Sequence, residues 1–151
     1  MLSFRRPQLV ISLAILIALG ACSKDDSNPA NLMGVSWTVD GSTATNIPAA
    51  VAESATEIDI RADTGAGTTT TSKGISLTVP RKVGTYDLSS TSGAVAAYYN
   101  GDLYVAKTGS VTVLSLSANN IKGTFTFTGS AILTSPPVTK TITEGKFNIA
   151  L

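Results

Sequence analysis

Apolar and polar positions alternate with a period of two along most of the chain after residue 33, the pattern of extended strands with one buried face. Val35, Trp37 and Val39 alternate with Ser36, Thr38 and Asp40, so the first strand turns its tryptophan and valines inward and Trp37 reads as core. Asp40-Gly41 is a strong hairpin signal. The return strand, Ser42 to Ile47, is weak and halts at Pro48, and Ala49 to Ala55 is small and irregular. Glu57 to Ala62 alternates cleanly: Ile58, Ile60 and Ala62 face a core, Glu57, Asp59 and Arg61 face water. Asp63 to Ser72 is a Thr/Gly loop without periodicity. Gly74 to Val79 points Ile75, Leu77 and Val79 inward and ends at Pro80, and Gly84 to Leu88 is a short strand or the start of a turn.

Ala94 to Tyr99 and Leu103 to Lys107 flank Asn100-Gly101, which suits a tight turn of the primed type. Opposition across it sets Tyr99 against Asp102, Tyr98 against Leu103 and Ala97 against Tyr104, so that Tyr99 and Tyr104 share a face and Tyr98 takes the other. Val111 to Ser117 and Ile121 to Gly129 flank Asn119-Asn120. Pairing there sets Leu116 against Gly123, Leu114 against Phe125 and Thr112 against Phe127, with Lys122, Thr124, Thr126 and Thr128 on the opposite face. A slip of one residue would turn Phe125 and Phe127 to water, so this register is strongly specified. Ser135-Pro136-Pro137 makes the next turn and Val138 to Thr143 continues. Gly145 suggests a bulge, and Phe147, Ile149 and Leu151 close the chain. No helical stripe of useful length follows Cys22. About nine to eleven short strands predict an all-β domain over residues 33–151, an antiparallel β-sandwich or a flattened, incompletely closed β-barrel.

The alternation fails at the N-terminus. Arg5 and Arg6 precede an apolar run from Leu9 to Leu19, broken only by Ser12 and followed by Leu19-Gly20-Ala21-Cys22. A basic start, an apolar middle and small residues before the cut describe a secretory signal. A cysteine directly after them makes it a lipoprotein signal peptide, residues 1–21, with cleavage recognised at Leu19, Gly20 and Ala21. The Cys22 thiol takes a diacylglyceryl group, and the freed amine takes a third acyl chain of the palmitate kind. Each buried methylene contributes about 0.8 kcal/mol, so two or three chains anchor where one would not. The run is shorter than the roughly 20 apolar residues of a membrane span. The arginine pair lacks the context of a twin-arginine signal, being followed by Pro7 with no Ser or Thr before it. Residues 22–32 carry no apolar cluster to bury and read as a lipidated, flexible tether.

Composition narrows the chemistry. Removing 21 of the 151 residues leaves 130, one domain's worth. The formal net charge is +1, which gives no reason to expect nucleic acid as partner. Histidine is absent and Cys22 is the sole cysteine, so a Ser-His-Asp arrangement, a zinc site of the usual kind and a disulfide framework are all excluded. No cofactor or metal is implied, no Gly-rich phosphate loop precedes a helix, and no motif supports a Ser-Lys dyad. Glu57 and Asp59 share a strand face. Paired carboxylates serve glycoside hydrolysis or calcium binding, but both need more convergent groups than stand here, and Arg61 beside them indicates surface charge pairing. Asp63 reads as a solvated loop aspartate. Tyr98, Tyr99 and Tyr104 cluster on one hairpin and are the candidate ligand-binding residues, since sugars stack on exposed aromatics. The plainer reading is that they cover an edge of the core.

Three stretches carry a resemblance. Gly109-Ser110-Val111-Thr112-Val113, Asn120-Ile121-Lys122-Gly123-Thr124-Phe125-Thr126-Phe127 and Ile142-Thr143-Glu144-Gly145-Lys146-Phe147 resemble a family of uncharacterised all-β domains in small lipoproteins of Bacteroidetes-type bacteria. The aromatic strand before a turn, Trp37 to Gly41, and the segment Gly84-Thr85-Tyr86 are similar to further features of that group. The resemblance spans most of residues 35–151 and implies a fold class and a location, but no chemistry. Lys24-Asp25-Asp26 directly after the lipidated cysteine is similar to a surface-export signal of the same group, although its acidic run is short. The expectation is a non-enzymatic outer-membrane lipoprotein, held by its lipid and exposed on the cell surface, binding a glycan or protein or serving as a structural accessory. The alternative is a lipocalin-like carrier of a lipid or small apolar ligand facing the periplasm, for which a cavity lined by Phe125, Phe127, Leu114 and Ile75 would speak.

Overall fold

The computed structural model describes residues 34–65, 73–89 and 91–151. Within them the chain forms ten strands and no helix: β1 (Gly34–Val39), β2 (Ser42–Ile47), β3 (Ala49–Glu53), β4 (Glu57–Asp63), β5 (Lys73–Pro80), β6 (Gly84–Asp87), β7 (Val95–Asn100), β8 (Asp102–Leu116), β9 (Asn120–Ala131) and β10 (Thr139–Ala150). Every pairing is antiparallel, and the strands follow the order β2-β1-β10-β9-β8-β7-β5-β4-β3, with β6 added against β8.

The two ends of this order nearly meet. β2 and β3 are consecutive stretches separated by Pro48 alone; the first pairs with β1 and the second with β4. The sheet therefore curls into a barrel whose seam runs along this single stretch of chain, so the incompletely closed barrel, rather than the sandwich, is the architecture. Proline has no N–H to give a ladder, and an open cleft lined by Gly34, Pro48, Ala49, Asn148, Ile149 and Ala150 marks the place where the seam is unsealed.

The interior follows the alternation. Val35, Trp37, Ile58, Ile60, Ile75, Leu77, Val79, Val111, Ile121 and Ile142 are buried, and Trp37 is 1% exposed. The Phe125 ring lies 6.4 Å from that of Phe127 and 6.5 Å from that of Phe147. Phe147 and Gly123 are direct cross-strand partners, as are Phe125 and Gly145, and each ring lies over its partner's bare backbone. The bulge expected at Gly145 is present: the register of β10 on β9 jumps between Ile142 and Gly145, with Glu144 at a φ of 53°.

Four expectations are corrected. Ala49–Glu53 is a strand, not irregular chain: three alanines, Val51 and Glu53 pair with β4 because Ile58, Ile60 and Ala62 already fix that neighbour. The stretches Leu103 to Lys107 and Val111 to Ser117 are one strand, β8, which changes partner from β7 to β6 along its length while β9 stays on its other side. Gly109 sits at a φ of 121°, a conformation L side chains rarely adopt, and lets β8 bend there without breaking.

The β8–β9 register also differs. The register jumps between Val113 and Ser115, so Val111 opposes Phe125, Val113 opposes Gly123 and Leu116 opposes Ile121. Leu114 falls in that irregularity, turns outward and is 51% exposed. The tyrosine hairpin is shifted by one residue. Its turn centres on Gly101, at a φ of 76°, with Asn100 opposite Asp102 and Tyr99 opposite Leu103. A turn with one residue at its centre changes the parity of the pairing and exchanges the two faces. Tyr98 and Tyr104 are therefore the directly opposed pair, both buried with ring centroids 5.9 Å apart, and Tyr99 stands on the outer face.

Candidate functional site

The outer surface of β3, β4, β5, β7 and β8 is built in rungs that run across the strands. Ala50, Arg61, Ser76, Ala97 and Val105 oppose one another in one rung. One neighbouring rung is Asp63, Gly74, Tyr99 and Leu103. The other is Ala52, Asp59, Thr78 and Val95. Side chains two apart along a strand share a face, so the central rung is a low floor of Ala50, Ser76 and Ala97 between taller walls, with Arg61 rising from its middle. Two adjoining clefts result. The first, about 340 Å³, is lined by Ala50, Val51, Ala52, Asp59, Arg61, Ser76 and Thr78. The second, about 400 Å³, is lined by Arg61, Asp63, Ser76, Ala97, Tyr99 and Leu103. Arg61 and Ser76 belong to both.

Tyr99 is the one aromatic group of this surface patch, and its position is determined by a glycine. Gly74 is its cross-strand partner. A Cβ placed at Gly74 would stand 2.0 Å from the Tyr99 ring carbon Cζ and 2.0 Å from its hydroxyl oxygen, so the phenol end of the ring takes the room over the glycine from which any other residue would hold it away. An aromatic ring covering a strand glycine is a recurring cross-strand contact. The half-buried hydroxyl donates to the Asp63 carboxylate. Burial first, then that hydrogen bond and the nearby negative charge, push the phenol up to about 12, with Arg61 acting in the opposite direction. Asp63 is fixed in turn by accepting the Gly65 backbone N–H at 2.9 Å. On the other side of Arg61, Asp59 accepts the Thr78 hydroxyl at 2.6 Å. Glu57 lies beyond the clefts, and its backbone N–H donates to the Ser54 hydroxyl.

The three candidate tyrosines thus separate. Tyr99 lines a cleft, whereas Tyr98 and Tyr104 fill the barrel. Burial, more than the charge of Asp40, raises the Tyr98 phenol, and Asp40 is itself paired with Lys140. That ion pair raises the Lys140 ammonium through its hydrogen bond. Sequence reasoning picked Tyr99 but set it beside the wrong tyrosine, and it left out Gly74, Ser76 and Ala97. The signal for these lay in the outward positions of β5 and β7, where small residues stand in place of the long polar side chains of a plain solvated face.

The four residues named for a carrier cavity do not line one common space, because Leu114 turns away from the interior. Phe125, Phe127 and Ile75 are buried against one another's neighbours, and Leu114 is outside. Asp59 and Asp63 are four residues apart on an extended strand, about 13 Å at roughly 3.3 Å per residue. Asp59 is turned to the Thr78 hydroxyl and Asp63 to the Gly65 N–H, and Arg61 stands between them on the same face. Among the described residues no three His, Cys, Asp or Glu side chains are gathered to hold a metal ion, and no helix is long and apolar enough to cross a membrane. Leu19, Gly20, Ala21, Cys22, Lys24, Asp25 and Asp26 lie outside the described residues. Compared with protein-family profiles, with curated proteins and with solved structures, the chain finds no match in any of the three.

Proposed function

We propose that this chain is a non-enzymatic, lipid-anchored domain of the outer membrane, exposed on the cell surface, and that it binds a ligand in the paired clefts around Arg61. The observation that carries the binding role is the Tyr99 ring, seated on Gly74 beside Asp63 and Arg61 at an open cleft. The anchor is the acylated Cys22, and Lys24, Asp25 and Asp26 direct export. The absence of histidine and the placing of Asp59 and Asp63 in separate clefts with Arg61 between them favour binding over hydrolysis.

Topology supports an outward-facing Tyr99 wall of the larger cleft, while Ala50 and Ala52 of the smaller cleft lie nearer Gly34. The described chain starts at Gly34, opposite Asn148 near the end of β10. Tyr99 and Leu103 flank the β7–β8 turn. β7 runs toward that turn from the barrel end where Gly34 lies, so Tyr99 and Leu103 stand at the opposite end. A tether attached at Gly34 leaves that end turned away from the membrane, and the 12 residues from Cys22 to Gly34 span at most about 40 Å when extended.

Protease treatment of intact cells tests the placement. The wild-type protein is expected to be digested and the Lys24/Asp25/Asp26→Ala variant protected, while Cys22→Ala loses its lipid label. Protection of a lipid-labelled wild type would put the domain in the periplasm and overturn surface display.

A further inference from the structure

The two clefts share a chemistry specific enough to name a ligand class. We infer that they bind a neutral saccharide, one ring on each side of Arg61; this rests on the cleft being the binding site, as proposed above. Each chamber offers a carboxylate, Asp59 in one and Asp63 in the other, and both share the Arg61 guanidinium and the Ser76 hydroxyl. Adjacent sugar hydroxyls donate to a carboxylate and accept from a guanidinium, whose planar fork presents donors in fixed directions. Tyr99 supplies the apolar complement. Its ring rests on the Gly74 backbone and borders the larger chamber, so the C–H face of a pyranose can lie against it. Because Gly74 and Asp63 fix that ring in advance, little ordering is left for the ligand to supply.

Other ligand classes fit less well. Asp59, Arg61 and Asp63 leave an excess of one negative charge, which disfavours uronates, phosphates and other anions. A peptide added as a strand needs an open sheet edge, yet β4 pairs with β3 and β5, β5 with β4 and β7, and β7 with β5 and β8. An acyl chain needs a deep apolar slot, and Leu103 and Ala97 are the larger chamber's aliphatic lining. The chambers, about 340 and 400 Å³, fall within the range of small-ligand sites.

The test is an NMR titration of the ¹⁵N-labelled mature lipoprotein in detergent micelles. The probes are neutral gluco-, galacto- and manno-oligosaccharides of one to four units, polygalacturonate, and a mixed peptide pool. At least one neutral series is expected to shift the amides of Arg61, Asp63, Ser76, Ala97 and Tyr99, and affinity should rise about ten-fold from the mono- to the disaccharide and then level. Tyr99→Ala should weaken binding by about ten-fold or more with the remaining spectrum unchanged. Arg61→Ala should cancel the gain from the second sugar unit. Tighter binding of polygalacturonate than of every neutral series would overturn the inference. Neutral sugars without effect, while the peptide pool shifts the same amides, would overturn the saccharide assignment and leave the cleft as the site. No shift of these amides with any probe would overturn both.

Discussion

The same contact occurs inside and outside the barrel, with opposite consequences. Within it, Phe147 covers Gly123 and Phe125 covers Gly145; on its surface, Tyr99 covers Gly74. All three are directly opposed antiparallel pairs in which a ring occupies the room a missing side chain leaves. The interior rings meet further rings, since Phe125 is stacked near Phe147 and tilted toward Phe127, and all three are buried. The Tyr99 ring meets a cleft whose floor is Ser76 and Ala97, and its outer side stays available. A glycine opposite an aromatic residue therefore sets where the ring lies, and the side of the sheet decides whether that ring fills a core or forms a platform.

Removing or crowding the interior rings gives the largest effects. Phe147→Ala empties a fully buried position and should cost about 3–5 kcal/mol, read as a drop in urea midpoint without change in slope. Gly123→Ala is next. Its Cβ would stand 2.2 Å from the Thr112 carbonyl oxygen and 2.3 Å from the Phe147 ring, and a backbone oxygen in a two-sided ladder yields little. A loss of about 1–3 kcal/mol is expected. A Gly123→Ala protein as stable as wild type would show that the interior is looser than these contacts imply.

Gly74→Ala is the external counterpart and should behave differently. The three atoms nearest to its added Cβ all belong to the Tyr99 side chain, which can swing toward solvent. Alanine also restricts the unfolded chain, an opposing contribution of about 0.4–1 kcal/mol. Stability should stay within about 1 kcal/mol of wild type while the cleft loses its aromatic wall. A loss as large as that of Gly123→Ala would remove the distinction between the two sides.

The sequence made the interior more legible than the surface, and the reason is physical. Burial enforces a period of two, so Val35, Trp37 and Val39, Ile58 and Ile60, and Ile75 and Leu77 declare their face without any partner being known. Register depends on turns and bulges, which carry weaker marks. Asn100-Gly101 invites a two-residue turn, yet the chain turns about Gly101 alone, and that difference makes Tyr98, not Tyr99, share a face with Tyr104. Pattern alone points Leu114 inward, and it is released outward by an irregularity in β8 whose mark, Gly123, lies on the partner strand. The cleft is harder still. It joins Ala50, Arg61, Ser76 and Ala97 from four strands, and their meeting is a property of the strand order β3-β4-β5-β7, to which no local pattern points.

The smallest effect is the most direct reading of how Tyr99 is held. Its phenol sits at about 12 against an ordinary 10.0, with burial the leading cause and Asp63 next. A group that keeps its proton more tightly when folded contributes stability that is complete below the unfolded value, near pH 10, and is lost as pH rises toward the folded value. Stability should therefore fall between pH 10 and about 12, and less so in Tyr99→Phe. The tyrosinate absorbance that Tyr99→Phe removes isolates this group from the buried Tyr98. Asp63→Asn takes away the negative charge but leaves the ring in place, so the Tyr99 titration should move partway down and stay above 10. Gly74→Ala lifts the ring from its seat, takes away burial, the first of the causes, and should also move the titration down. If Gly74→Ala left the titration at about 12, the glycine would not be what seats Tyr99, and the kinship of the external ring with Phe147 over Gly123 would fail.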